Sequence, residues 1–199
     1  MLLFALCGCD QLFGLHHVDP GVDARGDAPR DGMRDADPDA LGDATTITCP
    51  AGYASYAMLT NKYRKGADKN WLDAEIDCEL DRGTATGYTH LVVMGTGGDD
   101  LERSYVNTFV FGAGVSGWIG ASDLHKESNW LWVSNEPIPS SYPGPSGSPW
   151  ATSEPNGSAG ENCVQMLGAA DFNDYDCNAV LPYVCECDTH APVMANYTP

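Results

Sequence analysis

Six cysteines fall between Cys49 and Cys187, and they constrain this chain more than any other feature. An even set within a stretch of about 140 residues marks a disulfide-braced domain made in an oxidising compartment. The rival reading is a zinc site. It fails because no C-x-x-C pair has a matching partner pair and no His lies at ligand spacing. Six cysteines allow fifteen connectivities, and spacing alone does not choose among them. The 199 residues leave room for one ordinary domain and no second large core.

Charge narrows the partners. A formal charge of −18 argues against nucleic acid, which is bound by neutralising phosphates with Lys and Arg, and disfavours adhesion to anionic lipid. It suits a cation site, although most carboxylates in such a chain are solvating surface. Residues 10–46 are built mainly from Asp, Gly, Ala and Pro, with Asp at 19, 23, 27, 31, 35, 37, 39 and 43. Pro20, Pro29 and Pro38 interrupt any helix, and no recurring apolar residue can form a core. The segment is expected to be a disordered acidic linker with a reach of roughly 30 Å. Before it, residues 1–9 are apolar and much too short to span a bilayer. Leu6-Cys7-Gly8-Cys9 resembles the end of a bacterial lipoprotein signal peptide, in which the last cysteine becomes lipidated; Cys9 would be that residue. No Lys or Arg precedes the apolar run, so a second reading stays open, an apolar N-terminus without that role. The lipoprotein reading implies a lipid anchor and a place at the cell envelope or surface; the alternative is secretion.

From residue 47 the apolar density rises. Asn70 can cap a helix with Asp73 in its first turn, and Trp71, Ala74 and Cys78 share one face with Leu72 and Ile76 beside it. A strand over 90–94 follows. Asp99 or Asp100 can cap a second helix through about Phe109, with Leu101, Tyr105 and Phe109 at fourfold spacing. Residues 118–121 and 130–133 read as paired strands, and strands resume over 163–167 and 180–186. Between 135 and 160 the chain is dense in Pro, Gly and Ser, and so long a loop in a compact domain is usually functional or disordered. Trp71, Trp118, Trp130, Trp132 and Trp150 read as core rather than as exposed stacking platforms. His16, His17, His90, His125 and His190 form no visible dyad, and no G-x-S-x-G, H-E-x-x-H or phosphate loop is present, so no enzyme is expected.

The chemistry sits near the C-terminal end, in Glu154-Pro155-Asn156, Glu161-Asn162-Cys163, Asn173-Asp174 and Cys177. Glu154, Asn156, Glu161, Asn173 and Asp174 are hard-oxygen donors, the type Ca²⁺ takes in sets of about six to eight. Singly, Glu-Pro-Asn reads as a turn and Asn-Asp as a cap or Asx turn. Together they read as a metal site set against the competing possibility of a solvated acidic loop.

These motifs resemble the C-type lectin domain of the mannose-binding kind. Glu-Pro-Asn, Glu161-Asn162-Cys163-Val164, Asn173-Asp174 before Cys177 and the final Tyr183-Val184-Cys185-Glu186 carry the likeness. Trp118-Ile119-Gly120, Trp130-Leu131-Trp132, Trp150, Trp71-Ala74-Cys78 and His90-Leu91-Val92 extend it in the expected order, over residues 48–187. The resemblance implies an α+β fold, with two helices packed on small antiparallel sheets and a long calcium-binding loop, and a lectin domain over 47–188 followed by a tail, 189–199. It implies bridges Cys78–Cys185 and Cys163–Cys177. Cys49 and Cys187 then remain, and they pair if the domain's ends lie close together. Such a Cys163–Cys177 bridge, with Cα atoms within about 7 Å, would bring Glu161 and Asp174 together.

The resemblance also implies a cis bond before Pro155 and Ca²⁺ held by Glu154, Asn156, Glu161, Asn173 and Asp174. Glu154, Asn156, Glu161 and Asn173 would hydrogen-bond two neighbouring hydroxyls of a mannose, glucose, N-acetylglucosamine or fucose type of sugar on a glycan. A structural or protein-binding module, in which calcium only orders the loop, is the alternative. Phe172 stands where the family usually has Trp. Gly157 and Asn162 stand where some relatives have Asp for an accessory calcium, which is therefore not expected here.

Overall fold

A computed structural model describes residues 46–56, 59–94, 100–138 and 148–198, with only the backbone of Asp100 and Leu101. The expectations for Cys9, residues 1–9, the linker through residue 45 and Asp99 fall outside the described residues. The strands are β1 (Ala54–Ser55), β2 (Lys62–Lys69), β3 (Tyr88–Leu91), β4 (Gly117–Ser122), β5 (Leu131–Trp132), β6 (Cys163–Met166), β7 (Phe172–Tyr175) and β8 (Leu181–Asp188). The helices are α1 (Trp71–Leu80) and α2 (Asp100–Tyr105), the latter running into a π-helical turn, Val106–Gly112.

The expected small antiparallel sheets are joined into one. The strand order is β1-β2-β8-β4-β6-β7, with β3 on β8 and β5 on β4. All pairings are antiparallel except the meeting of β4 and β8 at Trp118 and Tyr183. β8 is the hub, because its buried run Tyr183–Asp188 faces neighbours on both sides. The disulfides are Cys49–Cys187, Cys78–Cys185 and Cys163–Cys177, so two of the three staple β8 itself.

α1 begins where Asn70 accepts the backbone N–H of Asp73 at 2.8 Å, a side-chain cap of the kind its sequence predicts. Trp71, Ala74, Glu75 and Cys78 face inward, while Ile76 is exposed. Trp71 donates its indole N–H to Ile119 O at 2.8 Å, and Trp118 donates to Lys69 O at 2.9 Å. Both rings thus enter the core with their one polar atom satisfied. Trp132 is fully buried too, while Trp130 and Trp150 are half-buried.

Two elements depart from expectation. The second helix changes pitch after Tyr105, so Val106, Asn107, Val110 and Phe111 turn inward and Phe109 is 56% exposed. A π turn closes i→i+5 bonds, and this rotates the fourfold face out of register. β7 is a strand where only ligand residues were visible in the sequence. Past Asp188 the chain also packs on the domain, and Tyr197 is buried.

Candidate functional site

The β6–β7 hairpin sets the frame. Val164 pairs with Asp174 and Gln165 with Asn173, and the Cys163–Cys177 bridge closes the base with Cα atoms 5.1 Å apart. Asp174 points inward and is buried; Asn173, its neighbour on β7, is half-buried. The Glu-Pro-Asn segment lies across this hairpin. Asp174 Oδ1 accepts the Asn156 N–H at 3.1 Å, and Oδ2 accepts the Gly157 N–H at 2.8 Å. The Glu154–Pro155 bond is cis. Asn156 Nδ2 donates to Glu154 Oε2 at 2.6 Å, and Asn173 Nδ2 donates to Asp174 O at 2.7 Å.

Glu161 follows a 3₁₀ turn, Ser158–Gly160, and folds back over Gly157. A Cβ on Gly157 would lie 2.0 Å from Glu161 Oε2 and 2.3 Å from its Cβ. Gly157 is therefore a seat for Glu161. Sequence spacing does not show that the side chain of Glu161 crosses the Gly157 backbone.

Hydrogen bonds thus join Glu154 to Asn156, Asn156 to Asp174 and Asn173 to the Asp174 carbonyl, and Glu161 lies against Gly157. Burial raises the Glu154 carboxyl, and the Asp174 and Glu161 carboxyls beside it raise it further. Among the described residues no ion pair engages Glu154, Glu161 or Asp174. Among the described residues, too, no three His, Cys, Asp or Glu side chains are gathered as a group that could hold a metal ion. The acids share a neighbourhood rather than one point, because Asp174 is turned to the loop backbone.

One acid was missed. Asp123, at the end of β4, is buried, and its Oδ2 accepts the Ser128 N–H at 2.7 Å. Burial, with Glu127 and Asp174 nearby, raises its carboxyl to about 6. A small cavity of about 120 Å³, bordered by Trp130, Pro155, Asn156 and Asp174, opens beside the site. The aromatic floor is continuous. Trp130 meets Trp150 edge-on at 5.0 Å, and Phe172 sits 6.1 Å from Trp150 and 5.9 Å from Trp132. Phe172 is fully buried.

A family model described as the lectin C-type domain matches residues 67–187. The chain is 26% identical over 144 residues to human C-type lectin domain family 17, member A, covering 72% of this chain and 33% of that protein. It is 30% identical over 143 residues to a perlucin-like protein of Mytilus galloprovincialis, covering 70% of this chain and 83% of that one. Among solved structures it is similar to the cow C-type carbohydrate-recognition domain of CD23, crystallised in the presence of a GlcNAc2Man3 oligosaccharide. That match has a TM-score of 0.54 and 29% identity, and covers 71% of this chain and 96% of the other. The chain spans about a third of the length of the human relative.

Proposed function

Since the chain belongs to the C-type lectin domain family, we propose that it binds carbohydrate through Ca²⁺ at the Glu-Pro-Asn loop. The observation that carries this reading is the docking of Asn156 and Gly157 onto Asp174, which ties the Glu-Pro-Asn loop to the β6–β7 hairpin. The donor set fits a hard cation: three carboxylates and two amides, with Glu154 raised by burial and its acidic neighbours and, among the described residues, no ion pair to a basic side chain. Glu154, Asn156, Glu161, Asn173 and Asp174 would hold Ca²⁺, which supplies coordination positions for two neighbouring sugar hydroxyls. Glu154, Asn156, Glu161 and Asn173 would orient those hydroxyls by hydrogen bonds. The order Glu-Pro-Asn selects sugars of the mannose, glucose, N-acetylglucosamine or fucose type. Glu154→Gln with Asn156→Asp is expected to move the preference toward galactose.

One observation favours a second reading. Both oxygens of Asp174 already serve the loop backbone, so calcium here would order a protein-binding or structural adhesion module. Retention on mannose-agarose in Ca²⁺, with release by chelator, separates the two. A chain that ignores the resin and a glycan panel, yet still gains stability with Ca²⁺, belongs to the second class. A single monosaccharide should bind near the millimolar level, about −4 kcal/mol. Several copies on one surface would then be needed for adhesion.

The anchor is a separate proposal from the residues around Cys9. The relatives named above are animal proteins, so a bacterial lipoprotein origin rests on that N-terminal sequence. Detergent-phase partitioning that survives Cys9→Ala would overturn it.

A further inference from the structure

Residues 189–198 lie beyond the stretch matched by the family, 67–187, yet they are fastened to the domain at both ends. Near the start, His190 N–H donates to Asp188 Oδ1 at 2.7 Å. At the far end, a 3₁₀ turn, Met194–Asn196, delivers Tyr197 into the flank of α1, where it is 2% exposed. Its ring meets Trp71 edge-on at 5.8 Å, and its hydroxyl donates to Glu79 Oε1. Between these points the strap crosses to another element. Val193 N–H donates to Val133 O at 2.7 Å, and Asn196 Nδ2 donates to Asn135 Oδ1 at 2.9 Å.

The turn it grips lies just past β5. Asn135 N–H donates to Trp132 O at 2.9 Å, and Trp132 N–H donates to Glu136 O at 2.8 Å. The Trp132 ring packs on Phe172 at 5.9 Å, and Phe172 directly precedes Asn173 and Asp174. A continuous packed path therefore joins the C-terminal segment to the hairpin of the candidate site.

We propose that residues 189–198 form a conformational strap, latched by Tyr197, that holds the turn after β5 against α1 and stiffens the candidate site through Trp132 and Phe172. The latch is one buried aromatic ring on an otherwise largely exposed segment. Segments with few buried contacts open at low cost, so the strap is a unit that can release while the disulfide-held sheet stays folded. Release slackens the turn first and the site second. The part of this inference that concerns ligand binding rests on the calcium reading above.

The test uses the full chain, with Tyr197→Ala and Tyr197→Phe as variants, read by amide hydrogen exchange, melting and Ca²⁺ titration. In the unmodified chain the Val193 amide should exchange at least about a hundredfold more slowly than an open peptide. Tyr197→Ala should cut the protection of Val193 and Asn135 at least about tenfold, lower the melting temperature by about 6–12 °C, and weaken Ca²⁺ about threefold to tenfold. Tyr197→Phe keeps the ring and should fall between the two. The amide of Val164, on β6, should lose less protection than that of Asn135. An unprotected Val193 in the unmodified chain, or an Asn135 amide unmoved in Tyr197→Ala, would overturn the strap. If Tyr197→Ala does not fold, the unmodified chain and Tyr197→Phe decide. If the unmodified chain takes up no Ca²⁺, the calcium reading has failed and the exchange data alone judge the strap.

Discussion

With both Asp174 oxygens accepting backbone N–H groups of Asn156 and Gly157, one buried carboxylate both shapes the loop and stands among the proposed ligands. Removing it leaves two donors without partners. A buried donor so stranded costs about 1–3 kcal/mol, and less where water can reach it, as it can at Asn156. Asp174→Ala should therefore lower stability by about 1–3 kcal/mol, seen as a drop of about 3–10 °C in melting temperature. The three disulfides should keep the core folded, while Ca²⁺ and sugar binding should vanish in calorimetry. Binding that persists in Asp174→Ala, or in excess chelator, would refute the calcium-bridged mechanism. At this scale the sequence was informative where residue type dictates burial: Trp71, Trp118 and Trp132 are fully buried, although Trp130 and Trp150 are only half-buried. It was silent where a side chain works through another segment's backbone. Nothing in the spacing shows Glu161 lying over Gly157, or Asp174 accepting two backbone N–H groups of the loop.

Among the elements, β4 shows why a motif can be rigid without touching ligand. Gly120 N–H donates to Val92 O, Val133 N–H donates to Gly120 O, and a Cβ on Gly120 would lie 2.5 Å from Leu91 O. That oxygen belongs to backbone already fixed, since Val92 N–H donates to Val184 O at 2.8 Å. Gly120→Ala must push β3 away from β4, and overpacking of this kind costs about 1–3 kcal/mol. Its melting temperature should fall by about 3–10 °C while the non-reducing disulfide map stays unchanged; an unshifted melt would mean that β3 yields freely. The glycine in Trp118-Ile119-Gly120 is thus legible as a motif, but its cause is a strand crossing that no local pattern reveals. The second helix shows the opposite failure. Leu101, Tyr105 and Phe109 suggest a continuous α-helical face, but the π turn puts Phe109 outside, against Tyr105 at 4.9 Å, and Val110 and Phe111 inside. Helical periodicity assumes constant pitch, and pitch here is set by what the turn packs against.

At the scale of the whole molecule, a buried charged network links α1, β2, β3, α2 and β8, with Tyr63 of β2 donating to Glu102 of α2 at 2.6 Å, and two of the histidines, His90 and His190, meet at its Asp188. His90 Nδ1 faces Leu91 O at 2.8 Å and Nε2 faces Asp188 Oδ1 at 3.1 Å, while Asp188 Oδ2 also meets His190 Nδ1 at 2.6 Å. Two acceptors require two donors, so the His90 ring carries its proton on both nitrogens. Although burial opposes this, Asp188 first and then Glu186 and Glu75 raise His90 to about 9. Burial also raises Glu75, which accepts the Leu91 N–H, to about 8. Glu186, which accepts from Val93 N–H and Asn61, is raised by burial and by Glu102 and Asp188. The folded chain thus holds protons that the unfolded chain releases near 4.5 for Glu75 and near 6.5 for His90. Wherever the folded state binds more protons, stability falls as pH rises. Stability from Glu75 should be lost between about pH 4.5 and 8, and that from His90 between about 6.5 and 9. Asp188 has the opposite sign: His90 and His190 hold its carboxyl below the ordinary value, so its contribution is lost only in acid. The net charge of −18 adds self-repulsion in the alkaline direction. The melting temperature should therefore be higher at about pH 5 than at about pH 9 by about 5 °C or more. Glu75→Gln carries no ionisable proton and should narrow that gap. A flat melt from about pH 5 to 9, or a gap unchanged in Glu75→Gln, would show that the network does not hold those protons.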